Sequence, residues 1–107
     1  MVFEIKYRDL MARIGQIKTK SGSFQTPALL PVIDPKNQII PPNTMKKEFK
    51  CEAIITNAFL IKKNFYEQAK KEGLHNFLNF PGPIMTDSGA YQLLVYGEVD
   101  ISSEEVI

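Results

Sequence analysis

Apolar and charged side chains alternate, or nearly alternate, between Val2 and Tyr7. This period of two is typical of a β-strand with one buried face. Residues 14–18 indicate a second strand, and the pair Ser21-Gly22 favours a turn after it. We therefore expect the chain to open with an antiparallel β-hairpin.

Three short apolar runs follow without such alternation, at residues 28–33, 53–55 and 84–85. Continuous apolar runs of this kind are typical of strands that are buried on both faces, as in parallel sheets. Pro31 is an awkward residue in the first run, because proline is confined to strand edges and bulges. The pattern still predicts three buried strands.

Helical segments are predicted between these runs. Met45 and Phe49 lie four residues apart, which predicts a short amphipathic helix over residues 45–51 with its lysines in solvent. A second helix is expected over residues 65–71, and Gly73 is a typical C-terminal stop. Strands that alternate with helices indicate βαβ units, a parallel sheet and right-handed crossovers.

The predicted fold class is therefore α/β. A (β/α)8 barrel typically needs about 250 residues, whereas this chain has 107. We expect the first strands and helices of a TIM barrel, preceded by the antiparallel β-hairpin, so that residues 1–107 form an incomplete barrel. Ser102 and Glu105 have the spacing of a capping box, which predicts a helix start near the end. We expect further residues or a partner chain to complete that helix.

The composition is typical of a soluble globular protein, with 44% hydrophobic and 23% charged residues. A formal net charge of +1 does not by itself indicate a nucleic-acid partner, since many proteins that bind RNA unaided are strongly basic. The single cysteine, Cys51, cannot form an internal disulfide and is expected to be a half-buried apolar residue. No segment suits a signal peptide or a membrane span, so we expect a cytoplasmic protein without a membrane partner.

Two polar clusters follow the second and third apolar runs, at residues 56–57 and 86–89. Functional side chains of parallel sheets and barrels gather at the carboxyl ends of the strands. Neighbouring strands would therefore place Asn57 and Asp87 on one rim, within reach of one ligand. Asn57 also has a simpler interpretation, because asparagine favours strand-to-loop junctions.

Asp87 is the main catalytic candidate. An aspartate at a strand end can attack a sugar C1′, exchange a proton with a leaving base, or accept hydrogen bonds from a guanine edge. Ser88 and Gly89 offer backbone amides in a tight turn, Tyr91 can stack on a purine, and Gln92 offers an amide to a base edge. The alternative is that Asp-Ser-Gly is a common turn and helix-cap sequence without chemistry.

Other polar residues have structural interpretations. His75 has no second ligand at metal-binding spacing, which favours a surface or helix-end position. Lysine pairs at 46–47, 62–63 and 70–71 are typical of solvated helix faces, with contact to RNA phosphate as the alternative.

Four ordered segments resemble a known family. They are TPALLPV at 26–32, QIIPP at 38–42, IITNAFL at 54–60 and MTDSGAYQ at 85–92. They resemble the archaeosine tRNA-ribosyltransferases, the archaeal branch of the tRNA-guanine transglycosylases, and the similarity extends over residues 3–107. Bacterial-type relatives have Gly-Asn-Thr-Tyr-His-Leu where this chain has residues 56–60, which favours the archaeal branch.

The resemblance implies a TIM barrel that exchanges a D-loop guanine of tRNA for the base preQ0 with retention at the ribose C1′. Asp87 matches one of two essential aspartates, as nucleophile or as acid/base. Tyr91 matches the residue that stacks on the base, and Ser88, Gln92 and Asn57 match pocket positions. The full-length family implies a structural zinc ion and a homodimer.

The chain departs from the family pattern in three respects. The second essential aspartate, the Cys-x-Cys-x-x-Cys zinc motif with its later histidine, and the RNA-binding domains have no counterpart in this sequence. The chain is therefore expected to contain no metal ligands and to be inactive alone. Two alternatives stay open: a non-catalytic partner subunit or split-gene half that supports tRNA binding, and a paralogue that modifies the inserted base. Retention of Asp87-Ser88-Gly89 argues against the paralogue.

Overall fold

The computed structural model describes residues 1–90. An antiparallel sheet of order β1-β2-β3 comes first. Its strands are β1 (Val2–Asp9), β2 (Ala12–Thr19) and β3 (Gly22–Thr26). The predicted hairpin is confirmed, but the sheet has a third strand that the prediction lacked. In β3 only Phe24 is buried among polar neighbours, so the hydrophobic pattern had little to detect.

A parallel sheet of order β4-β5-β6 follows. Its strands are β4 (Val32–Ile33), β5 (Ile54–Asn57) and β6 (Ile84–Asp87). The predicted parallel arrangement is confirmed. The prediction of a strand over residues 28–33 is too long, since only Val32 and Ile33 pair with β5. Pro31 has no N–H to donate, and its carbonyl accepts one bond from Ile55 N (3.0 Å) just before the strand begins.

Three helices connect these strands. They are α1 (Pro42–Lys47), α2 (Ala58–Glu72) and α3 (Leu74–Leu78). The helix predicted over 45–51 covers residues 42–47 instead: it begins three residues earlier, because Pro42 suits the first turn of a helix. It also ends four residues earlier, so that Phe49 lies outside it and is 65% exposed. The helix predicted over 65–71 ends before Gly73 as expected but begins at Ala58. Phe65 has non-helical angles (φ −135°, ψ 20°), and this kink divides the apolar pattern of α2 in two. Helix α3 was not predicted.

The core lies between the parallel sheet and the helices. Ile33 and Ile54 from the sheet pack with Leu78 and Phe80, and Met45 and Cys51 flank them. The opposite face of the sheet is open within residues 1–90, where Val32 is 76% and Met85 49% exposed. One face of the parallel sheet is therefore covered by helices, while the other is left for further structure.

The antiparallel sheet lies at the amino ends of β5 and β6. Gln25 N donates to Glu52 Oε2 (3.4 Å), and Ser21 Oγ lies 2.8 Å from His75 Nε2. Gly22 approaches Pro83, the residue before β6. The carboxyl edge of the parallel sheet is thus the edge that this antiparallel sheet leaves uncovered. The capping box predicted from Ser102 and Glu105 lies outside the described residues.

Candidate active site at the carboxyl edge of the parallel sheet

Strands β5 and β6 end side by side at Asn57 and Asp87, which are register partners. Partner residues on adjacent strands have their Cα atoms about 4.8 Å apart and point to the same face of the sheet. That face is the open one, because Met85 and Asp87 are on the opposite face from Ile84, which packs in the core. The prediction that Asn57 and Asp87 lie on one rim is confirmed.

The carboxylate of Asp87 is exposed at the end of β6. Within residues 1–90 it has no hydrogen bond or ion pair that would commit it to a structural role. Because its side chain is exposed, residues 1–90 by themselves do not enclose Asp87. The three strands of the parallel sheet form only one side of a pocket, and a closed pocket at this edge requires further strands.

Ser88 and Gly89 form a tight turn after Asp87. Ser88 is exposed, and its Oγ accepts a hydrogen bond from Ala90 N (3.3 Å), as serine often does in turns. Gly89 is buried and has a left-handed φ of 75°. A Cβ at Gly89 would overlap Phe59 Cβ and lie 2.9 Å from Asn57 Oδ1, so the backbone of this turn lies directly on the start of α2.

Asn57 is the N-cap of α2. Its Oδ1 accepts a hydrogen bond from Leu60 N at 3.0 Å, which satisfies one of the free amides at the helix start. The simpler interpretation of Asn57, as a strand-to-loop junction residue, therefore has a direct structural basis. This capping role does not depend on any contact with a ligand.

A second carboxylate lies on the same edge and was missed by the sequence reasoning. Asp34 directly follows β4, which is parallel to β5, so it stands at the same end of the sheet as Asp87. Its Oδ1 accepts a hydrogen bond from Lys36 N (3.0 Å), which is typical of an aspartate in a turn. In the sequence, Asp34 is a polar residue directly after an apolar run, which is the same pattern that marked the ends of the other two strands.

Tyr91 and Gln92 lie outside the described residues, and their predicted roles stay predictions. His75 is exposed in α3 beside Ser21, which confirms its surface position. Cys51 is partly buried and donates to Ala53 O at 3.2 Å, which confirms its structural interpretation.

The lysine pairs lie on or beside the described helices. Lys70 Nζ lies 5.5 Å from the centre of the Tyr66 ring, and Lys46 Nζ lies 5.8 Å from that of Phe80. Such cation–π contacts attract the ammonium group to the ring face. All three lysine pairs lie on helices, as expected.

Residues 1–90 bring together no group of three or more histidine, cysteine, aspartate or glutamate side chains suited to a metal ion. In the same part of the chain, no helix combines the length and apolar character needed to cross a membrane.

A parallel sheet with an aspartate at its carboxyl rim is an architecture of α/β enzymes, and comparison with known proteins identifies the family. The model of the queuine tRNA-ribosyltransferase (TGT) family matches residues 9–107. The chain belongs to this family, which confirms the resemblance seen in the sequence segments.

The chain is also similar to curated archaeal proteins that are each named tRNA-guanine(15) transglycosylase. It is 45% identical over 108 residues to the one from Methanosarcina barkeri, covering 99% of this chain and 22% of that protein. It is 49% identical over 108 residues to the one from Methanobrevibacter smithii, covering 99% and 16%. It is 49% identical over 105 residues to the one from Nanoarchaeum equitans, covering 98% of this chain and 25% of that protein. The chain thus spans about a quarter or less of the length of these relatives.

Proposed function

We propose that this chain is the amino-terminal part of a TIM-barrel tRNA-guanine transglycosylase, which replaces a D-loop guanine of tRNA with preQ0 in archaeosine synthesis. The observation that carries this proposal is the rim where Asp87 ends β6 beside Asn57, on the open face of a parallel sheet. Strands in consecutive order β4-β5-β6, with helices on one face, are the arrangement with which such a barrel begins. The names of the archaeal relatives support the activity.

The proposed chemistry is a retaining exchange at the ribose C1′. A carboxylate oxygen attacks C1′ while the bond from C1′ to guanine N9 breaks, and the departing guanine takes up a proton. The incoming base then loses the proton of its N9 and attacks C1′, which breaks the ester to the enzyme. Retaining glycosyl transfer generally uses two carboxylates about 5 Å apart.

Asp87 supplies one of these two carboxylates, either as the nucleophile or as the acid/base that also holds the guanine edge. Asp34 does not suit the second role, because β5 separates its strand from β6. Two strand spacings are about 10 Å, roughly twice the separation that retention requires. Asp34 is thus not the second carboxylate. The family resemblance implies that this group lies on a later strand of the barrel, and on this proposal the chain alone should be inactive.

The remaining predicted site residues complete the proposed pocket. The Ser88-Gly89 turn offers backbone amides beside Asp87, Tyr91 stacks on the base, and Gln92 pairs with its edge. Asn57 lies next to Asp87 on the same rim. A full-length homodimer in the cytoplasm, with tRNA and free base as its partners and without a membrane partner, is part of this proposal.

Zinc is proposed only for the complete protein. The cysteine-rich motif that would hold it has no counterpart in this sequence, which contains a single cysteine. The described residues 1–90 offer no ligand group either. Zinc would stabilise the fold of the complete protein, and no step of the exchange involves it.

The test is exchange of radiolabelled guanine into tRNA by the full-length protein that carries this sequence. Asp87→Asn removes the carboxylate with little change in shape and should abolish exchange. Asp34→Asn is the matched control, because it removes a charge from the same edge while asparagine keeps the hydrogen bond to Lys36 N. Exchange should survive in this control within a few-fold.

Two results would contradict the proposal. Full exchange by Asp87→Asn would make Asp87 a turn residue. Absence of exchange in the unsubstituted full-length protein, with tRNA still bound, would favour a non-catalytic tRNA-binding subunit.

A further inference from the structure

The side-chain oxygen of Asn57 lies where three segments meet. Asn57 ends β5, its Oδ1 accepts the hydrogen bond from Leu60 N in the first turn of α2, and Gly89 in the turn after β6 packs close to both. A Cβ on Gly89 would stand only 2.9 Å from Asn57 Oδ1. The capped start of α2 and the turn that follows Asp87 therefore lie side by side.

The packing beneath this junction is tight. Phe59 is completely buried, and its backbone N and its Cβ are the other atoms that a Cβ on Gly89 would meet. The turn therefore cannot move towards α2 without a clash. The cap holds the first turn of α2 in place, and that helical turn in turn limits where Gly89 and the two residues before it can lie.

We propose that Asn57 is a positioning residue, which sets the location of the Asp87 carboxylate through the Gly89 turn instead of contacting the base. This proposal rests on the proposed transglycosylase function. It refines the pocket role expected for Asn57, because its side-chain oxygen already accepts the hydrogen bond from Leu60 N. Two features of the side chain can be separated by substitution: its ability to cap and its amide group.

The experiment compares three variants of the full-length enzyme. Asn57→Ser keeps a capping oxygen and loses the amide, since serine caps helices about as well as asparagine. Asn57→Gln keeps the amide, but its extra methylene moves the oxygen away from the helix amides. Asn57→Ala loses both features. The assays are kcat for guanine exchange, KM for tRNA and for the free base, and the midpoint of thermal unfolding.

If Asn57 is a positioning residue, kcat should be retained in the variant that keeps the helix cap and should fall in the variants that lose it. We expect Asn57→Ser to keep kcat within about fivefold, since its cap is retained. Asn57→Gln and Asn57→Ala should lose at least about tenfold in kcat, because displacement of a catalytic group by 1 Å costs about a hundredfold. KM for tRNA and for the base should stay within about twofold in all three variants, since no binding contact is removed.

A low assay temperature and a control variant distinguish the positioning role of Asn57 from a role in helix stability alone. The assays are run far below every unfolding midpoint, where loss of helix stability alone leaves kcat of the folded enzyme unchanged. Gly73→Ala destabilises α2 from its other end, where a Cβ meets no atom within 4 Å, and should leave kcat unaltered.

Three outcomes would overturn the proposal: full kcat in Asn57→Ala, a several-fold rise in the KM for the base in Asn57→Ser, or a loss of kcat in Gly73→Ala equal to that in Asn57→Ala. Each of these outcomes is interpreted only if the unsubstituted enzyme exchanges guanine. An inactive parent enzyme refutes the proposed function instead, which keeps the two failures distinct.

Discussion

Addition of one methyl group at Gly89 tests whether the close contact between two chain segments holds Asp87, the proposed catalytic aspartate, in place. In Gly89→Ala the new Cβ would overlap Phe59 Cβ and lie 3.1 Å from Phe59 N. Carbon atoms pack at about 3.5–4.0 Å, so the turn has to retreat from α2 by more than about 1 Å. Asp87 is two residues away and would move with it.

Two energetic effects contribute to the cost of this substitution. An L-residue with the left-handed φ of 75° loses about 1–2 kcal/mol, and overpacking adds about 1–3 kcal/mol. The free energy of unfolding should therefore fall by about 2–5 kcal/mol. Activity should fall by about a hundredfold, the typical effect of a 1 Å misplacement in an active site.

Gly73→Ala is the matched control for backbone strain. Gly73 also has a left-handed φ, of 81°, but a Cβ there meets nothing within 4 Å. It should lose about 1–3 kcal/mol of stability from strain alone and keep its activity. Both variants are tested in the full-length enzyme by thermal unfolding and by guanine exchange well below the unfolding midpoint. Equal activity in the two variants would refute the idea that the Gly89 contact positions Asp87.

Three further predictions concern stability, each measured by thermal or denaturant unfolding of the full-length protein. Thr56 and Thr86 are register partners, but of the two only Thr56 has a hydrogen-bonded hydroxyl, which donates to Ile33 O (2.9 Å). Thr56→Val should therefore cost about 1–3 kcal/mol of stability and Thr86→Val nothing, and equal losses would contradict this. Gly15→Ala should change stability by only about 0.5 kcal/mol, because its Cβ would lie 2.6 Å from Cε2 of Phe3, a half-exposed ring that can turn away; a larger loss would show that the ring is held in place. Leu10 is 95% exposed with φ 54°, so Leu10→Asn should add about 1 kcal/mol, and a loss would mean that this tip contacts another part of the complete protein.

Local chemistry made part of the fold predictable from sequence. The alternation in β1 and the apolar runs of β5 and β6 each occur within a few residues, and a pattern of that length is visible without knowledge of the partners. Helix α2 shows the limit, since its first half follows β5 without a break and the kink at Phe65 interrupts its periodicity. In β4, Pro31 shortened the strand because a ladder needs an N–H donor that proline lacks.

The candidate site was predictable in part for the same reason. Polar residues that end buried runs marked Asn57 and Asp87, and four ordered segments marked the family. Asp34 was not predicted, although it ends the first apolar run and directly follows β4. The close approach of Gly89 to the start of α2 joins positions far apart along the chain, and no local pattern indicates it.

The sequence by itself determined the opening hairpin, the alternation of buried strands with helices, the family, and the position of Asp87 at the end of the third buried strand. These follow from the periodicity of side chains and from motifs that are contiguous along the chain. Only the tertiary structure decided that Asn57 and Asp87 are register partners, that Asn57 caps α2, and that Gly89 has no room for a side chain. These features depend on how separate segments approach one another in space, and that distance is fixed by packing across the whole fold.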